Sequence, residues 1–321
     1  MTIAKRLIIL LAVPLLILLG IGIFTRQQLA NIEERTRFVA DSRVVALARL
    51  GDISRSLTEL RVNVRSHLLA TNVAGRTSAR TLFDDPAYRP DTMKIYPCVV
   101  VKSAELFQWW RSGRYTPYDD ETLSELLLQI KQLVPPYVRI ERVIRDIPST
   151  SIEAGCQATN LREEVQRRMR ARGLRCQCIR CRQVRDTAPG PFSLVRRQYD
   201  ASDGTEIFLS FEEPSSDRLA SLLRLRIPSR RTPIFSALHG AALIRELHSY
   251  GHHLPLHDHR EDAVQHRGLG QQLVEEAERI AREEFGCRRM AVISGVGVRE
   301  YYRRFGYTLE ETYMVKPLAG R

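Results

Sequence analysis

The pattern of hydrophobic and polar positions changes abruptly within the first quarter of the chain. Residues 7–24 are continuously apolar apart from their glycines and Pro14, and Lys5 and Arg6 precede them. A run of this length predicts a membrane-spanning helix with its positive end inside. A signal peptide is the alternative, but no small-residue cleavage site follows. From Leu29 to Leu69 apolar residues recur at helical spacing between charges, which predicts an amphipathic helix.

Across residues 82–148 the pattern predicts short strands that alternate with helices. Strands are expected at Cys98–Val101 and Val138–Ile144, and helices at Ala104–Ser112 and Thr122–Leu133. This alternation is typical of β/α units, here the last units of a barrel. Because most of such a barrel is missing, we expect this segment to pack against the next domain and to depend on it for stability.

The C-terminal part of the chain has the pattern of a mixed sheet flanked by helices. An amphipathic helix is predicted over Gln271–Phe285. Strands are predicted at Phe192–Asp200, Thr205–Phe211, Arg218–Ile227, Ala242–Tyr250 and Met290–Ser294. Together these elements predict an α/β fold.

A glycine-bearing loop, Gln-His-Arg-Gly-Leu-Gly from Gln265 to Gly270, precedes the predicted helix. Glycine lets the backbone approach a ligand, and the N–H groups at a helix N-terminus attract a pyrophosphate. The spacing differs from the dinucleotide fingerprint G-x-G-x-x-G. It resembles the coenzyme A loop of GCN5-related acetyltransferases, although a plain packing turn is the alternative.

The charge of the chain favours a polyanionic partner. The chain has 49 Lys and Arg against 37 Asp and Glu, for a net charge of +12. The basic residues are overwhelmingly arginine, which suits bidentate phosphate contacts. The run Arg162–Arg175, continued by Arg180, Arg182 and Arg185, predicts a nucleic-acid surface or one solvated face of an amphipathic helix.

Six cysteines are unevenly spread, and three of them fall within six residues. Cys176, Cys178 and Cys181 form a Cys-x-Cys-x-x-Cys run, a thiolate spacing that suits tetrahedral Zn²⁺. Cys156, about twenty residues upstream, is the candidate for a fourth ligand. Three reduced structural thiols are the alternative interpretation.

Eight segments, in order along the chain, resemble the catalytic subunit of Elongator. That family fuses a radical S-adenosylmethionine domain to an acetyltransferase domain and installs a carboxymethyl precursor on the wobble uridine (U34) of tRNA. The segments are Met93–Pro97, Trp110–Tyr115, Arg145–Pro148, Asn160–Arg162, Arg245–Gly251, Glu275–Arg282, Ile293–Gly297 and Tyr313–Lys316. The first quarter of the chain resembles the start of a methyl-accepting chemotaxis receptor.

These resemblances imply four domains. Residues 1–73 would be a transmembrane helix plus an amphipathic helix of chemoreceptor type. Residues 82–148 would be the end of a radical S-adenosylmethionine barrel, and residues 149–186 a zinc-binding linker. Residues 187–321 would be an acetyltransferase domain of the GNAT type.

The acetyltransferase resemblance also implies site residues. The central strand would splay from its neighbour and bind the pantetheine arm of acetyl-CoA. Tyr302, and with less support Tyr301, would protonate the leaving thiolate, which a phenol of pKa near 10 can do. Tyr302 would also touch the cofactor, together with Glu246, Leu247, His248 and Ser249 on the strand and Gly268, Leu269, Gly270 and Gln271 at the pyrophosphate.

The implied function is an acetyl-CoA-dependent acyltransferase that acts in the cytoplasm on tRNA and holds Zn²⁺. The iron–sulfur cluster that cleaves S-adenosylmethionine needs a Cys-x-x-x-Cys-x-x-Cys spacing, which the chain lacks. We therefore expect an incomplete enzyme. Its further partner would be a second copy of the chain or a separate radical S-adenosylmethionine chain.

Two other functions remain open from the sequence. One is a protein or small-amine N-acetyltransferase, and the other is a non-catalytic fusion of a membrane receptor with a degenerate domain. A genuine helix at residues 7–24 would anchor the chain in a membrane. With Lys5 and Arg6 inside, the following residues would then lie outside, away from acetyl-CoA and tRNA.

Overall fold

The computed structural model divides the chain into two compact units, Met1–Leu69 and Ala70–Arg321. It describes residues 21–22, 24–29, 80–144, 146–158, 160–185, 191–229, 235–251 and 268–318. The predicted membrane helix at 7–24 lies almost wholly outside these ranges, as does the amphipathic helix that follows it. No helix within the described ranges is long and apolar enough to cross a membrane.

The segment from residue 80 to residue 185, here called the barrel segment, contains two short parallel strands and several helices. Strand β1 (Thr92–Lys94) pairs in parallel with β2 (Arg139–Arg142). The helices are α1 (Leu106–Arg111), α2 (Asp120–Leu133), α3 (Leu161–Ala171) and α4 (Ile179–Arg182). The side chain of Asp119 caps α2 by accepting the N–H of Thr122 at 2.7 Å.

The predicted strand at Cys98–Val101 is wrong. Within it, Val100 forms an isolated antiparallel bridge with Ala154. A short β-branched run becomes a strand only where a neighbouring strand can pair along its length. Here the facing chain offers a single bridge.

The remaining elements form one seven-stranded mixed sheet with a long helix against it. The strands are β3 (Ser193–Ala201), β4 (Gly204–Glu213), β5 (Arg218–Ile227), β6 (Ala241–Ser249), β7 (Arg289–Val292), β8 (Thr308–Glu310) and β9 (Tyr313–Pro317). The helices are α5 (Leu269–Glu283) and the short α6 (Arg299–Arg303). The spatial order is β3-β4-β5-β6-β7-β9-β8, and only the β6–β7 pair is parallel. The prediction of an α/β fold is confirmed.

Strands β4 and β5 are buried on both faces, because a different layer covers each one. Apolar residues at helical spacing on α5, among them Leu273, Ala277 and Ile280, are fully buried in the core that one face forms. On the other face Arg224 donates to the backbone carbonyl of Tyr137 in the barrel segment at 2.8 Å. The expected support of the barrel segment by the sheet is therefore present.

The sheet opens between its two parallel strands. Residues Ala241–Ile244 of β6 pair with Arg289–Val292 of β7, and the pairing ends there. On its other side β6 stays paired with β5 as far as Ser249. Residues 245–249 consequently leave one edge without a strand partner in the described structure. This opening matches the splay that the acetyltransferase resemblance implies.

Candidate functional site

The N-terminus of α5 forms one side of the candidate acetyl-CoA site. Gly268 is its N-cap residue and has a φ of 66°, a left-handed conformation that glycine adopts at little cost. The N–H of Gln272 donates to the Gly268 carbonyl at 3.1 Å. The N–H groups of Leu269, Gly270 and Gln271 therefore lie before the first helical hydrogen bond and have no acceptor within the helix. The first turn contains no acidic side chain, so the helix end favours an anion.

The unpaired edge of β6 adjoins this helix end. A Cβ added at Gly270 would lie 3.7 Å from Ser249 Oγ. Ser249 Oγ is in turn 2.9 Å from Ser221 Oγ on β5. Leu247 packs against the core of the sheet. The structure thus brings the end of the predicted strand, at Ser249, next to Gly270. Gln265–Arg267 lie outside the described residues.

Glu246 and His248 alternate along β6 and have different surroundings. Glu246 accepts a hydrogen bond from Nε of Arg224 at 2.7 Å. His248 is exposed, and its ring centroid lies 4.3 Å from that of Tyr250.

The two tyrosines of α6 have different environments. The Tyr301 hydroxyl lies 2.9 Å from the position that a Cβ on Gly270 would occupy, at the mouth of the cleft. Tyr302 is only 6% exposed and packs in the sheet core, with its ring centroid 5.9 Å from that of Tyr307. Successive residues on a helix point in different directions. The structure therefore favours Tyr301 over Tyr302 as the residue that faces a ligand.

Both phenols hold their protons more tightly than an exposed tyrosine. Burial raises the pKa of Tyr302 to about 12. Burial also raises the pKa of Tyr301, while the nearby charge of Arg304 partly opposes the shift. The expectation of an unperturbed phenol is thus wrong. At neutral pH both hydroxyls are protonated and able to donate.

The three clustered cysteines meet at the start of α4. The sulfur atoms of Cys176, Cys178 and Cys181 all lie within 4.8 Å of one another. Sulfurs around tetrahedral Zn²⁺ are about 3.8 Å apart, given Zn–S bonds of about 2.3 Å. Hydrogen bonds with Cys176 and Cys178 lower the pKa of Cys181 to about 2. The same set of contacts raises the pKa of Cys176. The donor set therefore fits a thiophilic metal.

A fully buried lysine faces this cluster. Lys131, near the end of α2, is 0% exposed, and its Nζ lies 3.8 Å from Cys181 Sγ. Gln166 donates to the same sulfur at 3.3 Å. A buried ammonium requires a negative partner. Three thiolates around Zn²⁺ would carry one net negative charge, which the Lys131 ammonium would offset.

The structure does not bring Cys156 to this cluster. Cys156 lies close to Asp120, at the opposite end of α2 from Lys131. Eleven residues of helix separate these ends by about 16 Å. Cys156 instead lines a cavity of about 170 Å³ together with Val99. The prediction that Cys156 is the fourth ligand is therefore wrong, because sequence distance does not report which end of a helix a loop reaches.

The basic run divides into paired and unpaired arginines. Arg168 and Arg172 on α3 form ion pairs with carboxylates of α2, at 2.7 and 2.5 Å. Arg182 is buried and pairs with Glu212 at 2.9 Å. Of the residues that the structure describes, none forms an ion pair with the exposed Arg175 or Arg185. The structure therefore separates arginines that hold the fold together from arginines that remain exposed, and the nucleic-acid role of the run stays a prediction.

Two residues of the site escaped the sequence analysis. Lys131 occupies a position on the apolar face of α2, between Ile130 and Leu133, and a charge on such a face was the available signal. Asp91 accepts hydrogen bonds from two arginines of the sheet, at 2.9 and 3.1 Å. No spacing in the sequence distinguishes it from other aspartates.

Family comparisons match the chain in three places. Residues 1–81 match a four-helix-bundle sensory module for signal transduction. Residues 90–171 match the C-terminal domain of radical S-adenosylmethionine proteins. Residues 261–307 match the acetyltransferase (GNAT) family.

Curated proteins with similar sequences carry consistent names. The tRNA uridine(34) acetyltransferase of Dehalococcoides mccartyi is 49% identical over 247 residues, 75% of this chain and 53% of that protein. Elongator complex protein 3 of Homo sapiens is 46% identical over 242 residues, 74% of this chain and 44% of that protein. This chain therefore spans about half the length of the curated relatives it matches.

A solved structure gives the same result. The archaeal Elp3 of Methanocaldococcus infernus, studied with an N-terminal deletion, is 42% identical and superposes with a TM-score of 0.68. The match covers 75% of this chain and 59% of the archaeal protein.

Proposed function

Because about three-quarters of this chain belongs to the family of Elongator catalytic subunits and tRNA uridine(34) acetyltransferases, we propose that it uses acetyl-CoA in the modification of the wobble uridine of tRNA. The observation that carries the proposal is the cleft between the free edge of β6 and the N-terminus of α5. The Tyr301 hydroxyl lies at its mouth. The groups that would bind acetyl-CoA, orient it and donate a proton thus lie close together.

The backbone supplies most of the recognition of acetyl-CoA. The N–H groups of residues 268–271 and the α5 dipole favour the pyrophosphate. Beyond Ile244 the backbone of β6 has no strand partner on the α5 side among the described residues, and this edge offers hydrogen bonds to the amides of the pantetheine arm, in the manner of an added strand. Neither contact needs a particular side chain. A site with few charged side chains can therefore bind acetyl-CoA.

Tyr301 is the proposed proton donor. Bound acetyl-CoA supplies an activated acetyl thioester, whose cleavage produces a thiolate that must take up a proton. The raised pKa of Tyr301 keeps its hydroxyl protonated at neutral pH, and the hydroxyl is directed to the cleft. Tyr302 would support this position, since its ring packs edge-on at 5.3 Å from that of Tyr301.

Zn²⁺ is the metal we propose for the cysteine cluster. Cys176, Cys178 and Cys181 would hold it as thiolates, and the remaining coordination position would be filled by a ligand other than Cys156. When bound, the ion would supply structural cross-linking of the turn before α4. That turn joins the barrel segment to the sheet, because the N–H of Val184 donates to the Leu219 carbonyl at 2.9 Å.

The proposal concerns the acetyl-CoA part of the chemistry. The 321 residues contain no Cys-x-x-x-Cys-x-x-Cys spacing. The radical step would require a polypeptide with the iron–sulfur cluster.

The experiment that tests this function measures release of free CoA from acetyl-CoA by the full chain. We expect release to rise when tRNA is added, and polyamines or histone peptides to have no such effect. Gly270→Glu serves as the site-dead control. Acetylation of the amines with no response to tRNA would instead establish an amine N-acetyltransferase.

A further inference from the structure

Strand β6 carries an extra residue at the point where it leaves β7. Arg224 of β5 is opposite Glu246, and Leu225 is opposite Ile244, so Arg245 is bulged out of the register. Ile244 is also the last residue of β6 that pairs with β7. A β-bulge bends its strand and increases the local twist. The bulge at Arg245 therefore coincides with the opening of the cleft.

Asp91, directly before β1, holds this bulge from the barrel segment. Its carboxylate accepts hydrogen bonds from Arg245 at 2.9 Å and from Arg224 at 3.1 Å. Its backbone carbonyl accepts a further bond from Arg224 at 3.3 Å. One residue thus links the bulged arginine to the arginine on the neighbouring strand.

The charges around Asp91 are balanced and largely removed from water. The side chain of Arg224 is only 2% exposed. Although burial opposes it, the hydrogen bond from Arg245 and the charge of Arg224 hold the pKa of Asp91 below its usual value. Loss of one carboxylate would leave buried arginine charge uncompensated. The network comprises Arg224, Arg226, Arg245, Asp91, Glu206 and Glu246.

The barrel segment also contacts the C-terminal end of β6. Arg139 on β2 donates to the Tyr250 hydroxyl at 2.8 Å, and its guanidinium lies 5.6 Å from the centroid of that ring. Tyr250 follows the last residue of β6. The barrel segment therefore contacts Arg245 and Tyr250, at the two ends of a stretch that lacks a strand partner on the cleft side among the described residues.

We propose that Asp91 is a positioning residue for the acetyl-CoA cleft, which fixes the bulge at Arg245 and thereby the separation of β6 from β7. This inference rests on the proposed function, since it concerns the strand that would bind pantetheine. It makes acetyl-CoA affinity dependent on a residue of the barrel segment that does not touch the ligand.

The test compares Asp91→Asn with Asp91→Glu in the full chain. Asp146→Asn is the matched control, because Asp146 pairs with Arg142 on the exposed surface of the same segment. Acetyl-CoA affinity is measured by calorimetry, and amide hydrogen exchange is measured at residues 245–249 and in β4. We expect Asp91→Asn to weaken binding at least tenfold and to accelerate exchange at residues 245–249 more than in β4.

A conservative substitution and a double-mutant cycle distinguish a positioning role of Asp91 from a general effect on stability. Asp91→Glu retains the charge and is expected to bind within about threefold of the unmodified chain. In an Arg245→Met background, Asp91→Asn should add less than a twofold loss, because the two residues act through one contact. Arg245→Met alone keeps the inference testable if Asp91→Asn does not fold, because it removes the same contact and should weaken binding at least tenfold.

Two results would overturn the inference while leaving the proposed function intact. One is binding by Asp91→Asn equal to that of Asp146→Asn, and the other is exchange that rises equally in β4 and at residues 245–249. Failure of the unmodified chain to bind acetyl-CoA would overturn the proposed function and this inference together.

Discussion

Tyr301 and Tyr302 are neighbours in sequence, but only one of their hydroxyl groups faces the cleft. We expect Tyr301→Phe to reduce acetyl-CoA turnover by about 100-fold, the usual contribution of a positioned general acid. Its acetyl-CoA affinity should change little, because the backbone supplies most of the binding. Tyr302→Phe is the matched control and should retain turnover within a few-fold. Steady-state kinetics decide the matter, and a larger loss in Tyr302→Phe would contradict the assignment.

Lys131 is the other residue whose role depends on burial. Lys131→Met preserves the length of the side chain and removes the charge that offsets the thiolate cluster. We expect zinc to be held about 10–100-fold more weakly, as is typical when a residue that contacts a metal ligand is lost. Competition with a chromophoric chelator measures the affinity. Lys102→Met, at an exposed ion pair, is the control, and equal zinc affinity in both variants would contradict the role.

At the scale of single residues, sequence reasoning succeeded where local spacing determines geometry. Cys176, Cys178 and Cys181 lie on one short turn, so their spacing alone brings them together. Cys156 and Asp91 depend on how distant segments pack, and no local pattern reports that. The choice between Tyr301 and Tyr302 depends on which way a short helix faces, which the sequence of α6 leaves open.

Helix α3 shows how one basic element divides its charges. Arg168 and Arg172 hold α3 against α2 through ion pairs, whereas Arg175 and Arg185 remain exposed beyond the helix. Ion pairs with solvent access contribute little to stability. The two exposed arginines are the better candidates for phosphate contacts.

This division gives a prediction for tRNA binding. Replacement of Arg175 and Arg185 by Gln should weaken binding and reduce the slope of log affinity against log salt by about one for each lost contact. Arg167→Gln is the control, since Arg167 pairs with Glu164 on its own helix. Filter binding at several salt concentrations measures the slope. An unchanged slope in the double variant would place the tRNA contact elsewhere.

Among the elements, strands and helices with a strong period were predictable. The predicted strand Arg218–Ile227 has the observed bounds of β5, and the helix predicted at Gln271–Phe285 differs from α5 by two residues at each end. The strand predicted at Cys98–Val101 failed because pairing, not propensity, makes a strand. The bulge at Arg245 was also out of reach, since it is a property of the register between two strands.

For the whole molecule, the connection between the barrel segment and the acetyltransferase sheet is the central structural result. Ion pairs of Asp91 and of Arg182 cross from one to the other, at 3.1 and 2.9 Å. Both involve side chains that are largely buried. Such pairs strongly destabilise a protein when one partner is lost. The two parts therefore act as one unit, which agrees with the expectation that a partial barrel depends on the next domain. The residues that make the connection were not predictable from the alternation of elements.

The most direct test of the account is a calorimetric titration of the full chain with acetyl-CoA, compared with Gly270→Glu. A glutamate in the first turn interacts favourably with the helix dipole, so the variant should keep its helix. Its side chain would contact the Tyr301 hydroxyl and repel the pyrophosphate. We predict micromolar binding by the unmodified chain and none by a folded Gly270→Glu variant, as judged by circular dichroism. Equal binding by both proteins, or no binding by either, would contradict the proposed site.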